Sequence, residues 1–474
     1  MPFSLKPMSQ AGRLDKAFSS KRLWTKWETK LWTLNFFMGT CTLYASRVAL
    51  PICATVMAQE YGWNKTDSGT IMSCFFWGYA ITQVIAGGIA DLIGGERILT
   101  FTTLIWSILT LFTPQLFDFA YWSGYPLAVL LLVRIFTGVG QGFHLPSMAS
   151  IVSRHLTAAD KGRVFGICLA GSHFGSVIAG AIGSILLEWF GWRSLFQFVG
   201  IISLIWWFFF KQLKNNSNLR RKNVVFDLSP SKENANDTSE MEHDSISNNA
   251  SDSRPLIHEK EKKVLGGMSP PMTAVPWGKL FRHKSFWAAS VAQYCGANAY
   301  FTMFSWLPSY FSDNFPHAKG VVYNVVPSLA IVVTSLIAPF FAARLLTRGK
   351  SITFTRRFME SASLIGMALC LLLVCITSTF YTCLMVFTMA MAARGLHHGG
   401  VSVNPHDFAP NHTGSVFGIF NAFSAITGFI GVYIAGYILQ ATNNNWSYVF
   451  VFTAVQCVLG AAVYGSLGTG NKII

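Results

Sequence analysis

One stretch of the sequence places a fixed positive charge beside a run of glycines. It extends from Arg134 to Pro146 and reads RIFTGVGQGFHLP, with glycines at 138, 140 and 142. An arginine inside an apolar run is costly in a membrane and normally faces a protein interior or a water-filled cavity. Glycines let a neighbouring backbone or a ligand approach the helix closely. The stretch therefore predicts an anion site, with an arginine that snorkels to the interface as the alternative.

Two further arginines, Arg47 and Arg394, lie in apolar runs. At 1.5 Å per residue, Arg47 and Arg134 lie roughly 9 and 13 Å from the same side of the runs that carry them, so they could converge on one ligand. Arg394 lies deeper, towards the other side. Arginine binds phosphate or carboxylate through paired hydrogen bonds, so this set favours a polyanion. Acidic residues occur only at the ends of the runs, as Glu188 and Glu360 do, so we expect no acidic proton relay.

Other polar side chains in apolar runs complete the candidate site. The predicted substrate-binding residues are Tyr44, Arg47, Tyr79, Arg134, Gln141, His144, Asn298, Tyr300, Arg394 and Asn404. The tyrosines suit stacking on an adenine base and suit packing equally well. Four histidines fit two roles, proton carrier or interhelical hydrogen bond, and the sequence leaves both open: His144, His173, His397 and His398.

Enzyme chemistry has no support in the sequence. There is no Ser-His-Asp arrangement and no metal-ligand spacing, and GVGQG lacks the Lys-Ser/Thr of a phosphate-binding loop. We therefore expect no catalytic residue, no cofactor and no metal. The nine cysteines are scattered singly through apolar runs, which indicates buried thiols.

The composition predicts an all-α membrane protein. Of 474 residues, 52% are hydrophobic and 12% charged, and the mean hydropathy is +0.41. The formal net charge of +15 comes from basic residues in loops between apolar runs. This placement suits lipid headgroups and membrane topology, and it disfavours a nucleic-acid partner.

Twelve runs are long enough to span a bilayer, which takes about 20 residues each. They are 31–53, 68–90, 97–117, 125–152, 164–188, 195–211, 285–311, 320–343, 358–377, 380–403, 414–438 and 446–468. The predicted segments are a tail (1–30), a six-helix bundle (31–211), a disordered loop (212–284), a second six-helix bundle (285–468) and a short tail (469–474).

Basic residues outside the spans lie mostly on one side. If both termini and the 212–284 loop share that side, it carries thirty lysines and arginines, and the opposite side carries only Lys65, Arg193 and Lys319. Positively charged loops remain cytosolic, so both termini are predicted to be cytosolic.

The two halves repeat. GRVFGI (162–167) is echoed by GSVFGI (414–419), and WRSLF (192–196) by WSYVF (446–450), at offsets of 252 and 254 residues. Two six-helix pseudo-repeats around a central cavity resemble the major facilitator fold.

A loop motif extends this resemblance. GGIADLIGGER (87–97) resembles the facilitator motif in which an aspartate caps a helix and a basic residue latches a cytosolic gate. The resemblance implies gate roles for Asp91 and Arg97. Leu92 stands where the family usually has a basic residue. In the second half, Ala343 stands where an aspartate would lie, so we expect that latch to be degraded.

Longer segments narrow the family. SCFFWGYAITQVIAGGIAD (73–91), the Arg134 stretch and GVSVNPHDFAPNHTGSVFGI (400–419) resemble the organic-anion branch that contains the vesicular glutamate transporters, sialin and the vesicular nucleotide transporters. LYASRVALPIC (43–53) and YGWNKTDSG (61–69) are similar to the nucleotide members. The resemblance implies a monomeric, alternating-access transporter that loads ATP or ADP into secretory vesicles or lysosomes, driven by membrane potential and dependent on chloride.

The alternative is a proton- or sodium-coupled carrier of a smaller anion, such as phosphate, sialate or glutamate. The glutamate members of the branch carry an acidic residue, a histidine and an arginine where this chain has Gln141, Met72 and Gly296. These differences disfavour glutamate and a glutamate-type proton switch.

The 212–284 loop contains DSRPLI (252–257). It resembles the acidic dileucine signals that clathrin adaptors bind, which assigns Asp252, Leu256 and Ile257 a sorting role. A chance match in a disordered loop is the alternative.

Overall fold

The computed structural model describes residues 24–156, 158–226, 275–410 and 412–474, and these ranges contain helices and no strands. The α-helices are α1 (Lys26–Tyr61), α2 (Lys65–Ile93), α3 (Gly95–Leu111), α4 (Thr113–Trp122), α5 (Pro126–Gly142), α6 (His144–His155), α7 (Ala158–Phe190), α8 (Trp192–Phe226), α9 (Trp277–Arg282), α10 (Lys284–Asn314), α11 (Gly320–Thr347), α12 (Ile352–Val374), α13 (Phe380–Gly395), α14 (Asn404–Phe408), α15 (Thr413–Ala441) and α16 (Trp446–Leu467). The predicted sorting residues Asp252, Leu256 and Ile257 lie outside the described residues.

Each predicted span coincides with helical structure. In the described part of the chain, eight helices are long and apolar enough to cross a membrane, or nine if α3 and α4, bent by 57° at their junction, form one span. Three further predicted spans, α2, α10 and α13, do not meet that test. Helix α13 has 16 residues, and the other two carry polar side chains that pack inside the protein, such as Gln83 and Asn298. The predicted all-α membrane architecture is confirmed.

Helix packing follows the internal repeat. Helix α1 packs on α7 as its counterpart α10 packs on α15, and α2 packs on α5 as α11 packs on α13. The halves meet where α2 packs on α15 and α7 on α11, which are again counterparts. Of the described residues, those within 24–212 and 278–474 belong to one compact unit, and residues 213–226 and 275–277 belong to a second one. We call the side of the first unit where α1 begins the terminal side and the side where α1 ends the opposite side.

The glycines of α5 bring this helix against α2. A Cβ added at Gly138 would clash with the carbonyl oxygen of Phe75, and one added at Gly142 would clash with Oγ1 of Thr82. Only a residue without a side chain permits such an approach of two backbones. The glycines after Arg134 therefore allow α2 to pack closely against α5, and this packing places the aromatic residues of α2 beside Arg134.

The predicted span 380–403 is broken. Helix α13 ends at Gly395, and two 3-10 turns, Leu396–Gly399 and Val401–Val403, follow it. The break brings the backbone N–H of Val401 to 3.0 Å from Oε2 of Glu360. Gly400 is needed at this turn because a Cβ there would lie 2.6 Å from the same oxygen.

Candidate substrate site

Arg47 of α1 is held by aromatic rings and one amide. Its guanidinium carbon lies 4.6 Å from the ring centroid of Tyr44, 5.1 Å from that of Phe75 and 4.3 Å from that of Tyr79. Its Nε donates a hydrogen bond of 2.9 Å to Oε1 of Gln141. The residue is 6% exposed, and Nη2 has no hydrogen-bond partner among the described residues. This nitrogen is therefore a donor that an anion can use.

A chain of hydrogen bonds sets the orientation of the Gln141 amide. Thr110 Oγ1 donates to the carbonyl of Trp106 at 2.8 Å, so its oxygen accepts from Ser46 Oγ at 3.0 Å. The Ser46 oxygen in turn accepts from Gln141 Nε2 at 3.2 Å. The amide oxygen of Gln141 is thereby left facing Arg47. The acceptor for Arg47 is neutral, so the charge of the guanidinium is not cancelled.

Arg134 of α5 shares an aromatic ring with Arg47. Its guanidinium carbon lies 5.2 Å from the ring centroid of Phe75, which also faces Arg47. Arg134 is 5% exposed, which disfavours the snorkelling alternative, and its Nε has no partner among the described residues. In the described part of the chain no carboxylate forms an ion pair with either arginine. Two buried, uncompensated cations thus meet at one ring, as the spacing along the spans predicts.

Arg394 of α13 lies in a second polar cluster. Its guanidinium carbon is 6.0 Å from the ring centroid of Tyr300, and Nη1 has no partner among the described residues. A Cβ at Gly296 would lie 2.8 Å from Nη1, so the glycine makes room for the arginine. Beside it, His173 Nε2 and His398 Nε2 lie 3.4 Å apart. This histidine pair joins α7 of the first half to the broken span of the second half.

Glu360 of α12 is a buried carboxylate that sequence reasoning misplaced. It is fully buried, and its oxygens lie 3.1 and 2.9 Å from Nδ1 of His397. The prediction that Glu360 lies at the end of its span is wrong. Helix α12 begins at Ile352 rather than at 358, because polar residues of the segment 352–357 continue the helix before the apolar run begins. Glu360 therefore lies about two turns inside the helix.

Two predicted ligands take part in packing contacts instead. His144 Nε2 lies 3.4 Å from Thr40 Oγ1, and that hydroxyl donates to the carbonyl of Phe36 at 2.9 Å. His144 is therefore the donor, in an interhelical hydrogen bond between α6 and α1. Asn298 Nδ2 donates to Oε1 of Gln456 at 2.6 Å, which joins α10 to α16. In the described part of the chain neither side chain hydrogen-bonds to Arg47, Arg134 or Arg394, and their roles as substrate ligands stay predictions.

Comparison with known proteins decides the family. The family model described as Major Facilitator Superfamily matches residues 36–431 and 335–468. A voltage-gated purine nucleotide uniporter of Homo sapiens, SLC17A9, is 32% identical over 470 residues, covering 99% of this chain and 98% of the relative. The chain belongs to the Major Facilitator Superfamily, in its SLC17 anion-transporter branch. It is a multi-pass membrane transporter and not an enzyme.

Other similar proteins are transporters too. The chloroplastic ascorbate transporter of Arabidopsis thaliana is 28% identical, covering 90% of this chain and 72% of the relative. A bacterial homologue of the human lysosomal transporter Spinster, solved in an inward-facing, unoccupied conformation, superposes with a TM-score of 0.68 at 14% identity. That match covers 93% of this chain and 97% of the other. It confirms the major facilitator fold.

Asn404 of the transporter lies in a different polar cluster. Its Nδ2 donates to the carbonyl of Thr469 at 3.0 Å and to Asp407 at 3.3 Å, and its Oδ1 accepts from the hydroxyl of Tyr464. Asp407 binds Arg356 through two hydrogen bonds of 2.8 and 3.3 Å. The segment VNPHD (403–407) therefore ties α12, α14 and the C-terminal segment together. The donors and the acceptor of the Asn404 amide are occupied by Thr469, Asp407 and Tyr464.

The predicted gate residues lie at the terminal side of the transporter. Asp91 is near the end of α2, and its side chain lies outside the described residues. Arg97 in the first turns of α3 is exposed. Beside them, Glu96 Oε1 lies 3.3 Å from His155 Nε2. Their gate roles stay predictions.

The two halves of the transporter touch on both sides of the arginines. Towards the terminal side, Asn421 Nδ2 of the second half donates to Oε1 of Gln83 of the first half at 2.8 Å. The His173–His398 pair is a second contact between the halves on that side. On the opposite side, Lys65 Nζ lies 2.6 Å from Asp313 Oδ2. The described residues contain no group of three or more side chains able to hold a metal ion. The enclosed arginines therefore suit an anion, with contacts between the halves on either side of it.

Proposed function

We propose that the transporter carries nucleotides such as ATP and ADP by alternating access, and that Arg47 and Arg134 bind the phosphate oxygens. The observation that carries this proposal is the pair of buried arginines at Phe75. Arg47 has a neutral acceptor, Gln141, and neither arginine has a carboxylate partner among the described residues. Arg47 Nη2 and Arg134 Nε each lack a partner among the described residues, and two such donors suit a polyanion. The similarity to a purine nucleotide uniporter supports the choice of nucleotides within the anions.

Membrane potential is the proposed driving force. Each charge moved through 100 mV gains about 2.3 kcal/mol, so a nucleotide with three or four negative charges is strongly concentrated by potential alone. The similarity to a voltage-gated uniporter supports this drive. We further propose chloride dependence, a monomeric state, a location in secretory vesicles or lysosomes, and cytosolic termini.

A second candidate is proton-coupled transport of a smaller anion. The observation that favours it is the buried Glu360–His397 pair, next to a histidine pair that joins the halves. Buried carboxylates and histidines are the groups that carry protons in transporters.

Uptake into liposomes that contain only this protein separates the two candidates. Labelled ATP, glutamate and phosphate are offered under either a valinomycin-imposed potential or a pH gradient of equal size. The proposal expects ATP uptake that follows the potential, in the wild type and in Glu360→Gln. Uptake set by the pH gradient and lost in Glu360→Gln would establish the proton-coupled alternative.

The sorting signal is tested separately. We propose that DSRPLI directs the transporter to vesicles, since Leu256 and Ile257 can fill apolar pockets of an adaptor while Asp252 meets a basic patch. The double variant Leu256→Ala, Ile257→Ala should appear at the cell surface and transport normally in liposomes. An unchanged vesicular location would show that the pattern is accidental.

A further inference from the structure

We propose that Lys65 and Asp313 form a latch between the two halves, and that Lys65, once released by its opening, binds the anion leaving on the opposite side. This inference rests on the alternating access proposed above. It adds a second, transient anion site that is separate from the two buried arginines.

Lys65, the first residue of α2, contacts several helices of the second half. Its Nζ lies 2.6 Å from Asp313 Oδ2 of α10 and 5.7 Å from the ring centroid of Trp446 of α16. Its backbone N–H donates to Oε1 of Gln440 of α15 at 3.3 Å. A single residue of the first half is therefore fixed by three helices of the second.

The backbones of α2 and α15 meet beside the ion pair. A Cβ at Gly436 would lie 2.6 Å from the carbonyl oxygen of Lys65, and a Cβ at Gly69 would lie 3.2 Å from Cα of Gly436. Across the other pair of helices, Thr55 Oγ1 of α1 lies 3.4 Å from Ser309 Oγ of α10. The ion pair therefore closes a seam in which the two halves are already in direct contact.

A polar cavity of about 270 Å³ lies at this seam. Its lining contains one basic residue, Lys65, and one acidic residue, Asp313, with amide side chains around them. While the halves touch, Asp313 cancels the charge of Lys65. When they separate, the cavity contains a lysine without its partner, and a multivalent anion attracts it more strongly than a single carboxylate does.

The same side of the molecule offers a matched control. Arg193 Nη2 lies 2.9 Å from Glu60 Oε1 and 2.8 Å from Asp118 Oδ1. These three residues all belong to the first half, so this ion-pair cluster cannot sense separation of the halves. A variant of Arg193 removes a charge and ion pairs from the same side without touching the seam.

The experiment follows closure through a thiol introduced by Ser309→Cys, because Ser309 lines the cavity. The Ser309→Cys transporter is purified, reconstituted into liposomes and treated from the opposite side with a membrane-impermeant thiol reagent. The modification rate of protein without this substitution is subtracted, because Cys375 is the one native cysteine that is not buried and could also react. Lys65→Ala and Asp313→Asn should each raise the modification rate about two- to fivefold, the range expected for a partly exposed ion pair. The charge swap Lys65→Asp, Asp313→Lys should restore the rate of the Ser309→Cys parent, and Arg193→Ala should leave it unchanged.

Protection by ATP tests the anion site. ATP on the opposite side should protect the introduced thiol in the Asp313→Asn background at a concentration several times lower than in the Lys65→Ala background, because only the first retains the lysine. Equal modification rates in Lys65→Ala and Arg193→Ala would overturn the latch, and equal protection in the two seam variants would overturn the anion role. If ATP uptake proves independent of Arg134, the proposed function fails, whatever the seam variants show.

Discussion

Arg47 donates a hydrogen bond from Nε to Oε1 of Gln141 over 2.9 Å, and this neutral acceptor leaves the positive charge of Arg47 uncancelled at the proposed substrate site. The amide is fixed by Ser46 on its nitrogen side, so it offers Arg47 an oxygen without offering a negative charge. A carboxylate at position 141 would keep the same geometry and cancel one of the two cations. Position 141 therefore controls how strongly the site attracts an anion.

Gln141→Glu should lower ATP uptake throughout the range from pH 5.5 to 8. An ionised glutamate pairs with Arg47 and weakens ATP binding, and we expect potential-driven uptake to fall at least tenfold. The neighbouring guanidinium groups favour the ionised carboxylate, so the loss should persist at pH 5.5. The measurement is ATP uptake at equal pH on both sides from 5.5 to 8. Gln141→Leu, which carries no charge, is the control, and wild-type uptake by Gln141→Glu would contradict this account.

Phe75→Leu should weaken substrate binding without unfolding the protein. The ring of Phe75 faces both guanidinium groups, and desolvated cation–π contacts are worth about 0.5 to 2 kcal/mol each. We therefore expect the KM for ATP to rise by roughly 2- to 30-fold, since leucine fills space but has no aromatic face. Phe36→Leu, also fully buried, is the matched control. An unchanged KM in Phe75→Leu would show that the ring only packs.

Much of this architecture could be predicted from the sequence because a membrane imposes simple rules. Apolar length places the helices, and the repeated GRVFGI and GSVFGI segments predict that helix pairs recur in both halves. The convergence of Arg47 and Arg134 also follows from counting residues along their spans. Both features depend only on positions along single helices.

Features that depend on contacts between helices were harder to predict. The sequence predicts Glu360 at a span end because the apolar run begins later than the helix does. The hydrogen bonds of Asn298 and Asn404 to neighbouring segments could not be predicted, since a polar residue inside a span gives the same sequence signal whether it faces a cavity or a neighbouring helix. The contact of the Phe75 ring with both arginines has no signal of its own in the sequence.

Asp407→Ala should lower stability and leave substrate affinity unchanged. Asp407 and Arg356 are largely buried and joined by two hydrogen bonds, and removing one partner of a buried pair costs about 3 to 5 kcal/mol. Thermal unfolding in detergent should therefore occur at a clearly lower temperature, with the KM for ATP retained in the remaining folded protein. Asp118→Ala breaks an exposed ion pair and should cost about 1 kcal/mol or less. A large rise in KM for Asp407→Ala would contradict this expectation and place the segment VNPHD (403–407) in the substrate site.

The central claim is that the uncompensated guanidinium of Arg134 binds the transported anion, and uptake of labelled ATP by Arg134→Ala tests it most directly. Liposomes containing wild type, Arg134→Ala, Arg134→Lys or the control Arg193→Ala are compared under one imposed potential, with folding checked by thermal unfolding. We predict at least about a 30-fold loss of uptake in Arg134→Ala, as expected for losing a buried charged contact. Arg134→Lys should lose most of its uptake, since an ammonium group does not reproduce the planar guanidinium, and Arg193→Ala should retain it. Near wild-type uptake by a folded Arg134→Ala protein would contradict the account.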